Sequence, residues 1–166
     1  RSLSSVMSTP APWLGLPTRR GAAALLAPPA HNPDEAAERA VATFRVIGSP
    51  GYPLDEDWLR AYARRAFARG AAAGADAGSP RRQLAAAMAS PSRVSGLRGL
   101  RVPTLVVHGE DDPLIRPAAG RATARAVPGA RLLTFRGMGH NLPAALWPEL
   151  VVAVRECAAR ARKSDW

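Results

Sequence analysis

The sequence is poor in the features that mark the more specialised protein classes. It has one cysteine, Cys157, so it can hold no internal disulfide framework and fits a reducing, cytoplasmic setting. That thiol falls within a late helical pattern, where a buried and inert side chain is expected. No run approaches the ~18 apolar residues of a membrane span. The chain opens on Arg1 without a basic segment leading into an apolar core, so neither a span nor a signal peptide is read. Aromatic residues make up 5%, too few for a base-stacking platform. Of 23 Lys and Arg residues only Lys163 is a lysine, which with abundant Ala, Gly and Pro reads as codon bias. The net charge of +10 is spread along the chain, with no block of five like charges. No nucleic-acid partner is expected.

What is present is enough for one ordinary domain: 166 residues, 47% of them apolar. Its informative part is residues 101–140. Val102-Pro103-Thr104-Leu105-Val106-Val107-His108-Gly109 runs into Glu110-Asp111-Asp112-Pro113. Arg131-Leu132-Leu133-Thr134-Phe135 runs into Gly137-Met138-Gly139-His140. Each half reads as a short buried strand followed by a loop bearing a polar group. One helix-length segment, 116–127, lies between them, so the strands can lie parallel and put both loops on one rim.

Upstream, residues 2–8 are β-prone, and a Pro- and Gly-rich loop holds Trp13. Residues 17–97 then read as helical pieces with no strand among them. Asn32 and Glu35 predict a capping box for one helix with Ala37, Val41 and Phe44 on its apolar face. Asp55 caps the next, with Trp58, Leu59, Tyr62, Ala66 and Phe67 inward. A small-residue loop at 70–78 precedes a helix through Leu84 and Met88. A closing helix over 146–162 is read with Leu150, Val151, Val154 and Ala158 inward. No repeat is visible. The division expected is an opening strand at 1–8, a helical lid or crossover at 9–97, and a carboxyl-terminal core at 98–166. A lid is expected because a crossover between parallel strands needs only about a dozen residues.

The rim residues carry the chemistry. An imidazole can take and return a proton near neutrality. The glycines around His140 let its loop pass close to its neighbours. Asp112 precedes Pro113, which restricts it to extended backbone and fixes the aim of its carboxylate. Asp112 and His140 together would form two thirds of a hydrolytic triad, the acid holding the tautomer of the base. Asp111 and Glu110 read as solvated loop charges, and His108 as a structural residue. No cofactor or metal site is read, and Trp13, Phe44, Tyr52 and Trp58 read equally well as packing or pocket residues.

These segments resemble the last third of an α/β-hydrolase fold enzyme, with Gly109-Glu110-Asp111-Asp112 matching its acid motif and Gly139-His140 its histidine motif. Ser5-Val6-Met7-Ser8-Thr9, Gly48-Ser49-Pro50-Gly51-Tyr52-Pro53 and Arg82-Gln83-Leu84-Ala85 are similar to actinobacterial lidded esterases of the aclacinomycin methylesterase type. The resemblance implies a partial α/β-hydrolase fold of about three parallel strands, and a small-molecule carboxylic ester as substrate. Epoxide hydrolases, haloperoxidase-like enzymes and peptidases share these segments, and a non-catalytic remnant or interaction module is the reading from another class.

One motif is missing. The family carries its nucleophile on Gly-x-Ser-x-Gly, ahead of acid and base, and no such pentapeptide occurs here. Ser49 comes closest, but Ile47 stands where the first glycine belongs. No oxyanion-hole loop is found. The expectation is a chain that begins at the sixth strand of the fold, has no independent activity, and presents a bare strand edge able to pair with other chains. Sedimentation velocity checks this: self-association should rise with concentration, and a monodisperse monomer throughout contradicts it.

Overall fold

The computed structural model describes residues 1–74 and 79–163. Among these, three strands form one parallel sheet in the order β1, β2, β3: Leu3–Val6, Thr104–Gly109 and Arg131–Phe135. Leu3 pairs with Thr104, and Leu105 with Arg131, which sets the register on each side of β2. Every residue of β2 is buried. A strand with neighbours on both edges and cover on both faces has no solvated side, which is why Thr-Leu-Val-Val reads as an unbroken run.

Alternation along β2 assigns its two covers. Leu105 and Val107 face a cluster with Phe135, Met138, Leu146, Ala153 and Cys157. The last two lie on α7 (Trp147–Lys163). His108 points the other way, against Gly120 of α6 (Ala118–Ala126), the crossover helix between β2 and β3. Cys157 is buried beside the backbone carbonyls of Leu3 and Pro103. The inward line of α7 differs from the expectation. Leu150, Ala153, Cys157 and Ala161 follow the 3.6-residue period onto the sheet, with Leu146 just ahead of them. Val151 and Val154 face outward with Trp147. Valine and alanine are both apolar, so composition alone did not separate the two stripes; the small residues seat the helix close to the sheet.

The connection from β1 to β2 holds α1 (Arg19–Leu25), α2 (Pro33–Ile47), α3 (Glu56–Ala72), α4 (Ser79–Ala89) and α5 (Val94–Arg98). Part of the expected loop at 70–78 belongs to α3, and 75–78 lies outside the described residues. Asn32 caps α2 by accepting the Glu35 N–H at 2.8 Å. The reciprocal bond is displaced by one residue: the Glu35 carboxylate accepts from the His31 N–H, and from the Asn32 side-chain amide. Asp55 caps α3 through the Trp58 N–H. On α3 the buried positions are Leu59 and Ala63, whereas Trp58 and Tyr62 stack on each other at the surface, with centroids 5.2 Å apart. Their i,i+4 spacing lets the rings shelter one another without entering the core.

Charged side chains tie α2 to α3. Arg60 donates to Glu38 at 2.8 Å and to Glu56 at 3.2 Å, and Arg45 forks onto both Glu56 oxygens. The Arg60 hydrogen bond holds the Glu38 carboxyl below its ordinary range, and the Arg45 hydrogen bond does the same for Glu56. A lowered folded-state value contributes stability above the ordinary glutamate range, and that contribution is lost as the pH falls through the lowered value. Melting temperature should therefore drop on acidification through this range more steeply in wild type than in Arg60→Met, and salt should narrow the difference. In denaturant titrations Leu105→Ala should cost ~2–5 kcal/mol, from the middle of the core. Val151→Ser, on the outer face of α7, should stay within about 0.5 kcal/mol.

Candidate active site

Both rim loops leave the carboxyl ends of adjacent parallel strands, and they are stitched to each other before any side chain meets. The Glu110 N–H donates to the Phe135 carbonyl and the Asp111 N–H to the Met138 carbonyl, each at 3.0 Å. Gly109 allows this approach, because a Cβ there would overlap the Met138 carbonyl. Asp111 and Glu110 are not merely solvated charges, as their residue types suggested. The Asp111 carboxylate accepts the Gly137 N–H at 2.8 Å, and Glu110 accepts the Thr134 hydroxyl at 2.8 Å. Asp111 closes the second loop onto the first, and Glu110 ties the first loop to β3.

Asp112 is buried, and each carboxylate oxygen has its own task. Oδ1 accepts the N–H groups of Leu114 and Ile115, at 2.8 and 2.9 Å, which fixes the plane of the carboxylate. Oδ2 lies 2.7 Å from His140 Nδ1. A carboxylate so held accepts, so Nδ1 donates and the other ring nitrogen, Nε2, is left as the basic one. The His140 side chain is 24% exposed, and its Nε2 makes no hydrogen bond among the described residues. The structure thus brings together the two residues singled out in the sequence, in the geometry of a base oriented by an acid.

His108 lies beside them. It is fully buried, with Nε2 2.7 Å from the Ile115 carbonyl and 3.7 Å from Asp112 Oδ2. A carbonyl only accepts, so Nε2 carries the hydrogen, and this bond folds the acid loop back on its strand. Its Nδ1 has no partner. That face of the ring rests on Gly120, where a Cβ would come within 2.5 Å of it. His108 is a structural part of the acid loop, as its place inside the strand suggested.

The helical connection touches both loops. Ahead of α1, the Thr18 N–H donates to the Pro113 carbonyl at 2.8 Å, and Arg116 donates to the Gly15 and Leu16 carbonyls. At the end of α2, the Ile47 carbonyl accepts the His140 N–H at 2.7 Å. Ser49, the nearest approach to a nucleophile motif, is committed elsewhere: its hydroxyl accepts the Gly139 N–H and donates to the Asn141 side chain. Of the possible pocket aromatics, Tyr52 reaches the Arg136 carbonyl and packs against the core, Phe44 is half-buried, and Trp13 and Trp58 are exposed. Among the described residues no group of three or more His, Cys, Asp or Glu side chains is arranged to hold a metal ion, and no helix is long and apolar enough to cross a membrane.

Comparison with known proteins bears on the family and the fold. Rhodomycin D methylesterase from Streptomyces peucetius is 32% identical over 130 residues, covering 78% of this chain and 42% of that enzyme. The chain therefore spans about two fifths of that relative's length. An esterase from a Rhodococcus species superposes with a TM-score of 0.57 at 21% identity, over 89% of this chain and 50% of the other. An enol-lactonase from Burkholderia xenovorans gives 0.60 at 20% identity, over 94% and 55%. At these identities the two structures speak for the fold alone. A model of the alpha/beta hydrolase family matches residues 3–154, nearly the whole chain, and with the parallel sheet beneath it this places the chain in the alpha/beta hydrolase family.

Proposed function

We propose that this chain supplies the acid and base of a serine carboxylic-ester hydrolase acting on a small-molecule ester, with residues 9–97 as the lid over the rim. The observation that carries the reading is the 2.7 Å contact between His140 Nδ1 and Asp112 Oδ2, with Nε2 uncommitted. The methylesterase likeness favours an ester over the other chemistries of the family. The nucleophilic serine and the oxyanion donors would lie on polypeptide outside these 166 residues, since no Gly-x-Ser-x-Gly occurs within them. The cell compartment that suits the single thiol is the cytoplasm.

In this mechanism His140 Nε2 takes the proton of the serine hydroxyl as its oxygen attacks the ester carbonyl. Asp112 stabilises the imidazolium and keeps the ring in register. The imidazolium returns the proton to the departing alkoxide, which leaves as the alcohol and an acyl-serine. A water molecule then repeats the sequence, its proton passing through His140 to the serine oxygen and its oxygen remaining in the carboxylic acid. Asp112 stays ionised throughout.

The test starts with the coding region ahead of Arg1. An in-frame Gly-x-Ser-x-Gly segment ~100 residues upstream is expected, whereas a stop codon there favours a non-catalytic remnant. The 166-residue chain should not turn over p-nitrophenyl esters. The extended chain should do so, with kcat falling ~10⁴-fold or more in Asp112→Asn and His140→Ala. Turnover that survives His140→Ala sinks the assignment.

A further inference from the structure

Asp112 fixes the ring of His140, but a ring can be held in register only if its own backbone is held as well. That backbone is gripped by the turn after α2, and the match between the two runs is residue by residue in opposite directions. The Ile47 carbonyl accepts the His140 N–H at 2.7 Å. The Ser49 hydroxyl accepts the Gly139 N–H at 2.9 Å and donates to Asn141 Oδ1 at 2.5 Å, so one side chain holds the residues on either side of His140. The Gly51 N–H donates to the Gly137 carbonyl at 2.9 Å, and the Tyr52 hydroxyl donates to the Arg136 carbonyl at 3.3 Å.

The seam is closed by glycine. A Cβ on Gly139 would overlap the Gly48 carbonyl, and one on Gly51 would lie 2.7 Å from the Gly137 Cα. Gly137 itself has φ 76°, in the left-handed region. Three glycines, Gly51 on one side and Gly137 and Gly139 on the other, let backbone lie against backbone. Ser49 is the one small side chain within that contact, and both its proton and a lone pair are used there.

We propose that the turn at 47–52 is a positioning bracket for His140 and that Ser49 is its positioning residue. The proposal rests on reading His140 as the base. Ser49 makes no hydrogen bond to the imidazole, its hydroxyl being taken by Gly139 and Asn141. It sets where the imidazole stands, by holding Gly139 and Asn141 at fixed distance from the end of α2. Because the segment before α1 holds the acid loop through Pro113 and Arg116, and α1 packs on α2, the same helical pair grips both loops. Loss of the Ser49 hydrogen bonds loosens the His140 loop from the end of α2 while the bonds that hold the acid loop stay in place, which changes the contact between base and acid.

The experiment is proton NMR on the 15N-labelled chain, reading the His140 Nδ1 proton that bridges to Asp112 and the exchange of the Gly139 amide. The Nδ1 signal is assigned by its loss in Asp112→Asn. In Ser49→Ala we expect that signal to broaden or vanish and the Gly139 amide to exchange at least about tenfold faster, ~1.4 kcal/mol of lost protection. Ser49→Thr, which keeps the hydroxyl, should retain both. If Ser49→Ala does not fold, Asn141→Ala removes only the acceptor of the hydroxyl and should still weaken the Nδ1 signal. A lower melting temperature with an unchanged Nδ1 signal, in either variant, makes Ser49 a structural residue and overturns the proposal. A signal that Asp112→Asn leaves in place removes the acid–base pair itself, and this inference falls with it. A signal lost in Asp112→Asn but kept in Ser49→Ala removes the bracket alone.

Discussion

A strand buried on both faces and both edges has no water with which to satisfy its backbone, so every N–H and carbonyl must find a strand partner. β2 is such a strand, and its parallel pairing with β1 and β3 is the constraint from which the rest follows. Parallel pairing sends the ends of β2 and β3 to the same edge. It also obliges the intervening chain to cross over the sheet, which α6 does. Asp112 and His140 therefore leave neighbouring strand ends, and the turn at 47–52 then holds the backbone of the second.

Polar side chains then finish what the strands begin. Asp111 reaches across to the second loop and Glu110 to β3, Asp112 binds the backbone of its own loop with one oxygen and the imidazole with the other, and His108 ties Ile115 to the strand end. Among the described residues His108 Nδ1 is the one buried side-chain nitrogen or oxygen without a partner. An unpaired buried acceptor costs stability. Here it is the consequence of asking one imidazole to hold a carbonyl while lying flat against a glycine.

The strands, the crossover helix, and the places of Asp112 and His140 were legible in the sequence because each rests on local chemistry: short runs of strand-forming residues, a proline after the acid, glycines around the histidine. The caps at Asn32 and Asp55 were legible for the same reason. What escaped was set by contacts far apart in sequence. Val151 and Val154 looked like core residues, and only the sheet beneath α7 selects Ala153 and Cys157 instead. Trp58 and Tyr62 looked inward, and their mutual stacking keeps them outside. Ile47 sets Ser49 apart from a Gly-x-Ser-x-Gly motif, but the serine's grip on Gly139 and Asn141, some 90 residues away, has no local signature. The glycines at 51, 137 and 139 were the nearest thing to one.

Those glycines also bear on how such a protein tolerates change. A contact made of main chain against main chain is indifferent to almost every substitution in the helices it joins. The exposed residues of α2 lie outside the seam that follows it, while any side chain placed at Gly51 or Gly139 would force that seam apart. The surface that would meet different molecules and the joint that holds the histidine are thereby uncoupled at the level of mutation. Redesign of the one can proceed by ordinary point changes, leaving the other untouched.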